Sequence, residues 1–303
     1  MPVFEQGYRP YTGPVRRGSR ALAIAWESFR PRLRWWIWLM MFPFLFWPYL
    51  VIGGFAYAIL MVGVQPPPLP NVPDVAFARG DPFRRMISAI MGNSGTAFWE
   101  VQNDGFKWAG PVVVCAVACA GILAADRRTN ALHLYFSRPV SRRDYLAGKV
   151  LVVCAFCAML TLVPTLLLWL ECAALQPSWD YVAGTWWVPF SVTAAALLYA
   201  LWTSGLVLLL SSLLDRPVLI GTVAILSYIF LAGLGNALSR SMDDQRWLAM
   251  VPHYAIGAVT APLFGLDVPE WLPLPLCLVT AVGFPALAYA VVVRRLRAVE
   301  VVT

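Results

Sequence analysis

Charge is what this sequence has least of. Asp, Glu, Lys and Arg together make up 13% of the 303 residues, about half the share of a soluble domain. Histidine is nearly absent: only His133 and His253 occur, neither inside a segment expected to span the membrane. Acidic pairs inside such segments are missing altogether. An intramembrane protease or lipid transferase needs a nucleophile–base or metal constellation facing a cavity, and these residues offer little to build one from. The phosphate-binding pattern GxxxxGK[ST] is also absent, because Gly148-Lys149 is followed by Val150 and has no glycine at the upstream position, so the chain cannot be its own P-loop ATPase. The six cysteines (115, 119, 154, 157, 172, 277) all lie within or at the ends of apolar segments, which excludes an extracellular disulfide framework. Cys154-x-x-Cys157, and Cys115 with Cys119 one turn on, read as small packing residues, not as metal ligands or a redox pair. The first 34 residues carry seven arginines and no short apolar stretch ending in a small-residue cleavage site, so no removable signal peptide is expected.

What is present is hydrophobicity: 60% of the residues, with a mean hydropathy of +0.67. Six apolar segments use most of the length, which points to an all-α polytopic membrane protein. The expected spans are 35–64, 108–125, 150–175, 188–214, 218–238 and 271–293. Thirty helical residues in the first would reach about 45 Å, against a hydrocarbon core of roughly 30 Å, so Pro43 and Pro48 suggest a kink or tilt. Pro164 interrupts the third. Ahead of the first span, residues 20–34 alternate apolar and basic positions, as an interfacial helix on the inner leaflet would. The organisation expected is therefore a cytoplasmic N-terminal segment, 1–34, and one transmembrane domain, 35–303.

The net charge of +7 does not point to nucleic acid, because the basic residues segregate by loop instead of gathering on one face. Seven Lys and Arg precede the first span, six lie between the second and third, one between the fourth and fifth, and three follow the sixth. The other three connections hold four, none and two. This asymmetry places both termini in the cytoplasm. Between the fifth and sixth spans, Leu248 to Leu266 is apolar but broken by Pro252, Gly257, Pro262 and Gly265. It reads as a helical hairpin re-entering the outer leaflet.

The stretch 124–149, AADRRTNALHLYFSRPVSRRDYLAGK, stands apart as the only long run rich in charge and too short in apolar length to cross a bilayer. Leu132, Tyr135 and Phe136 fall at helical spacing, giving an apolar stripe between charged ends. Pro139 stops that helix, and Ser141 is placed to cap a second one running into the third span. Such an element, joined directly to two spans, is suited to act as a lever. Elsewhere, Glu171 is the one acid inside an apolar run, and Asn236, His253 and Tyr254 are candidates for a pathway or outer gate.

The central stretch resembles the coupling region of ABC-2 type transporter permeases. The resemblance rests on Asp126-Arg127, Leu132, the run Ser137-Arg138-Pro139-Val140-Ser141-Arg142, and Gly148-Lys149. Asn130 stands where the family often has glycine, and His133 where a glutamate is common. The resemblance implies that a cytoplasmic coupling helix docks into a groove on a separate cytoplasmic ATPase. Its docking residues would be Asp126, Arg127, Arg128, Asn130, Leu132, Tyr135, Phe136, Ser137, Arg138, Pro139, Ser141 and Arg142. The second inner turn, with Asp215 and Arg216, would lie beside it. Two permeases and two ATPases would form the unit, in a bacterial cytoplasmic membrane and in contact with its lipid. ATP and Mg would be bound by the partner, with no cofactor on this chain. The function implied is ATP-driven export of a hydrophobic or amphipathic cargo. The competing readings are a non-transporting scaffold or sensor coupled to an ATPase, and, with little to build it from, an intramembrane enzyme.

Overall fold

The computed structural model of the chain describes residues 19–42, 105–129, 131, 141–175, 179–268 and 270–298. Among them every regular element is helical. The elements are α1 (Arg20–Phe29), a 3-10 turn at Arg30–Arg32, a helical stretch at 35–42, α2 (Gly105–Ala118), α3 (Ala124–Arg128), α4 (Arg142–Leu160), α5 (Leu162–Leu175) and α6 (Asp180–Thr185). They continue with α7 (Val188–Leu213), α8 (Pro217–Ser241), a 3-10 turn at Gln245–Met250, α9 (Pro252–Thr260), a 3-10 turn at Ala261–Phe264, and α10 (Leu274–Leu278). A π-helical turn, Val279–Gly283, then leads into α11 (Phe284–Ala298).

Local sequence explains where these helices start and stop. Ser141 caps α4 in a reciprocal box: its hydroxyl accepts from the Asp144 amide at 3.1 Å, and the Asp144 carboxylate accepts from the Ser141 amide at 3.3 Å. Each of these bonds satisfies an amide that a helix start leaves without a partner. The apolar run then breaks after Leu160. Pro164 has no amide to donate to the Leu160 carbonyl, and its ring crowds that carbonyl. Pro217 opens α8 at its first helical position, where a missing amide costs nothing.

Among the described residues, four stretches are long and apolar enough to cross a bilayer: Arg142–Leu170, Val182–Leu213, Pro217–Ser241 and Leu274–Leu296. They match the expected third to sixth spans, with shifted ends. The sixth starts as helix only at Leu274, after a turn at 270–272 and Pro273. The outer connection expected at 176–187 contains the short helix α6. Of the first span, 43–64 lies outside the described residues. The second differs from its expected 108–125: α2 ends at Ala118, and a turn at 119–123 separates it from α3. Large apolar side chains, among them Leu167, Leu170, Ile229, Phe230, Val279 and Leu287, cover the outside of these helices, a surface for lipid and not for water.

Three glycines set how closely the helices meet. A Cβ at Gly148 would lie 2.8 Å from the Ala21 carbonyl oxygen, so α1 rests directly on the head of α4. A Cβ at Gly221 would lie 2.7 Å from the Ala116 carbonyl oxygen, where α8 crosses α2. Gly235 faces Val251 and the Trp247 carbonyl with no room for a side chain, which holds the Gln245–Met250 turn against α8. Gly233, two residues earlier on the same helix, would place a Cβ with no atom of the described residues within 4 Å. Packing and propensity therefore act in opposite directions along one helix. Gly221→Ala is expected to lower the stability of the detergent-purified chain by about 1–3 kcal/mol through overpacking. Gly233→Ala is expected to raise it by up to about 1 kcal/mol through helix propensity. Thermal melting of the two variants side by side checks both signs.

Candidate functional site

The described part of the central stretch is α3 with its flanking turn, and the start of α4. Both are held in a network of buried polar side chains that joins five separate parts of the chain. Asp126 and Arg127, adjacent on α3, point into opposite halves of it.

Asp126 serves the half built on α1 and α4. The Lys149 ammonium lies 2.7 Å from its carboxylate, and the Tyr145 hydroxyl donates to the same oxygen at 2.7 Å. Lys149 is only 2% exposed, although it heads a long apolar helix. It donates to the Ser28 hydroxyl on α1 at 3.0 Å and lies 5.3 Å from the centre of the Tyr145 ring, one turn earlier on its own helix. Gly148, the residue before it, admits α1 close enough for the Ser28 bond to form. The pair Gly148-Lys149 thus has a physical meaning here. The glycine brings a second helix near, and the lysine reaches both that helix and the carboxylate.

Arg127 serves the half built on α7 and the turn after it. The last carbonyls of a helix have no partner within it. Arg127 supplies one, donating to the carbonyls of Ser212 at 2.8 Å, Ser211 at 2.8 Å and Leu214 at 2.9 Å. A cation at a helix C-terminus also sits favourably against the helix dipole. Its guanidinium lies 3.1 Å from Asp215 in the second inner turn, and Arg295 on α11 adds a bond to the Ser212 carbonyl at 3.1 Å. The Ser211 hydroxyl accepts from the amides of Leu123 and Ala124 at 3.0 and 3.1 Å. This is why the second span does not run on to 125: a serine on α7 takes the amides that start α3, and the chain turns there.

The structure thus brings together Asp126, Arg127 and Asp215 from the residues singled out in the sequence. It leaves Arg128 and Arg216 exposed, and places Ser141 at the cap of α4 with Arg142 beside it. Asn130, Leu132, Tyr135, Phe136, Ser137, Arg138 and Pro139 lie outside the described residues. Sequence reasoning missed Ser28, Tyr145, Ser211, Ser212 and Arg295. It names Lys149 only within the Gly148-Lys149 motif and as one cation of the loop, with no partner. The available signal was its position: it is the last charge before the apolar run and directly follows a glycine.

On the opposite side, the Gln245–Phe264 segment packs into the bundle. Ile256 and Val251 are buried, Ser191 on α7 donates to the Leu263 carbonyl at 2.5 Å, and Thr280 in the π-helical turn donates to the Ala249 carbonyl at 2.8 Å. His253 Nδ1 is 3.2 Å from the Tyr228 hydroxyl, and its ring stacks at 4.4 Å on Tyr254. Burial pushes the His253 imidazole down to about 4, so it stays neutral across the physiological range. Asn236 donates to its own helix, at the Ala232 carbonyl. Glu171 belongs to the backbone of α5, and its side chain lies outside the described residues.

A helical bundle with four apolar spans and a charged junction at one end defines an integral membrane protein of the polytopic class. The sequence matches the ABC-2 family transporter protein description over residues 22–295, and the chain belongs to that family. The match takes in every residue of the junction, from Ser28 to Arg295. Comparison with curated proteins and with solved structures gives no match. The chain is therefore a transporter membrane component, of a family whose members are typically non-catalytic subunits working with an ATPase.

The two carboxylates of the junction are predicted to behave very differently. Asp126→Ala leaves Lys149 buried without its counter-charge, and is expected to destabilise the purified chain by about 3–5 kcal/mol. Asp215 is 74% exposed, and Asp215→Ala should cost less than about 1 kcal/mol. Denaturation in one detergent, read on both variants, tests the ordering.

Proposed function

We propose that the chain is the permease subunit of an ABC exporter, driven by ATP hydrolysis on a separate cytoplasmic subunit that docks on residues 126–142. The observation that carries this reading is the placement of Asp126 and Arg127. A family motif residue contacts each half of the bundle, so a push on α3 is felt by both. In the docking element itself, Leu132, Tyr135 and Phe136 form the apolar stripe for the ATPase groove, and arginines at either end face its rim. Asp215 and Arg216 in the second inner turn stand beside that surface.

In the complete reading, the chain has six spans with both termini inside, in a bacterial cytoplasmic membrane, and two copies pair with two ATPase copies. The segment 248–266 is an outer re-entrant hairpin that closes the exit, and its proline and glycine breaks serve as hinges. His253 and Tyr254 sit at that gate. ATP and Mg belong to the ATPase. The cargo is hydrophobic or amphipathic, because the spans carry almost no charge with which to line a wide aqueous pore.

Two experiments test the reading. Leu132→Asp and Phe136→Asp each place a charge in the buried part of the docking groove, at a cost of several kcal/mol. Both variants should insert in the membrane yet fail to copurify with the ATPase. Unchanged copurification and ATPase activity in both would rule out this docking site. Cysteines placed at positions 8 and 300 on a cysteine-free background should resist an impermeant reagent in intact cells and react once the membrane is opened. Labelling of either from outside would overturn the topology.

A further inference from the structure

The N-terminal helix has two faces with different partners. Ile24 and Ser28 are buried against α4, whereas Leu22 and Trp26, one turn apart, are each 60% exposed. Just beyond the 3-10 turn, Trp35 and Trp38 are exposed as well. Apolar ridges of this kind, with tryptophans beside them, belong at the boundary between lipid headgroups and acyl chains. The buried face meets α4 at Gly148, where there is no space to spare, and at Lys149, whose ammonium is shared between Ser28 and Asp126. One buried cation therefore stands between a helix with a lipid-facing ridge and the turn that begins the docking element.

We infer that Lys149 is a positioning residue for coupling. Through it, α1 sets the height of α3 against the bilayer surface, and a displacement of α3 by a docked ATPase is passed on to α1. The inference rests on the docking reading given above, and it adds a specific path. Geometry favours transmission over slippage. The Gly148 contact sets one backbone against the Ala21 carbonyl and the Ile24 side chain, with the carbonyl too close for a rotamer change to relieve. Lys149 is closed to water, so separating it from Asp126 would strand its charge in an apolar core. Ser28 is the connection on the α1 side. Its loss would leave Lys149 and Asp126 paired and remove the hydrogen bond that joins α1 to Lys149.

The experiment uses the full chain in lipid nanodiscs with its copurifying ATPase. Spin labels carried on unnatural amino acids at Ala23, on the exposed side of α1, and Ile229, on the lipid side of α8, leave the six native cysteines intact. In the wild type, trapping the ATPase with nucleotide should shift the Ala23–Ile229 distance. Lys149→Met should retain the ATPase but lose more than about half of that shift, since coupling of this kind is carried by packed and hydrogen-bonded contacts. Lys149→Arg should restore it. Ser28→Ala, which spares the ion pair, should weaken it in the same direction and guards against a Lys149→Met chain that does not fold. A shift of wild-type size in both Ser28→Ala and Lys149→Met, or no nucleotide-dependent shift in the wild type, would overturn the inference. Failure of any ATPase to copurify with the wild type would instead overturn the docking reading on which it rests.

Discussion

An ammonium group at the head of a transmembrane helix, closed off from water, is stable only if a carboxylate meets it, and in this chain that carboxylate comes from α3. The Asp126–Lys149 pair is the constraint from which the arrangement of this end of the bundle follows. To bring Asp126 within 2.7 Å of Lys149, α2 must end early and α3 must lie across the start of α4. Tyr145 then completes the carboxylate's shell, and Ser28 completes that of the ammonium. Buried ion pairs of this kind add little net stability over well-packed apolar residues. What the pair supplies is register: α1, α3 and α4 can be assembled in only one alignment that leaves no charge stranded.

Arg127 does the corresponding work by a different chemistry. Among the described residues its ionic partner is Asp215, which is largely in water. It acts as the C-terminal cap of α7, taking three carbonyls at the helix end, one of them shared with Arg295. Two neighbouring residues of opposite charge thus hold α3 by two mechanisms, one sensitive to counter-charge and the other to hydrogen-bond geometry. Lysine in place of Arg127 would keep the charge but could not span the three acceptors, because it lacks the planar fork.

Elements that depend on local chemistry were legible in the sequence. Ser141 was readable as a cap because a hydroxyl followed three residues later by an acid is a local pattern, and the apolar runs of the third to sixth spans were readable from length alone. Pro164 announced the break in the third. The early end of the second span was not legible, because its cause, the Ser211 hydroxyl, lies on another helix nearly ninety residues away. Gly233 and Gly235 look equivalent in the sequence, yet only one faces a neighbour, and which one depends on how α8 is turned against the Gln245–Met250 segment. Lys149 was hidden by the rule that otherwise worked best. A cation flanking a span on the inner side is ordinary, and only the third dimension distinguishes a lysine in water from one sealed beneath α1.

The sequence separations within the junction also fix an order of assembly. Chains are made from the N-terminus, and contacts between distant segments cannot close until the later segment exists. Ser28 waits 121 residues for Lys149, but Asp126 is already present when Lys149 emerges, so the α1–α3–α4 half can close as soon as the third span has been made. Arg127 waits 85 residues, counted from its own position, for Ser212, and that carbonyl then waits 83 more for Arg295. α3 is therefore tied down in instalments. It is anchored on one side once α4 has been made and on the other once the end of α7 has followed, and the C-terminal helix adds only the Arg295 bond to Ser212.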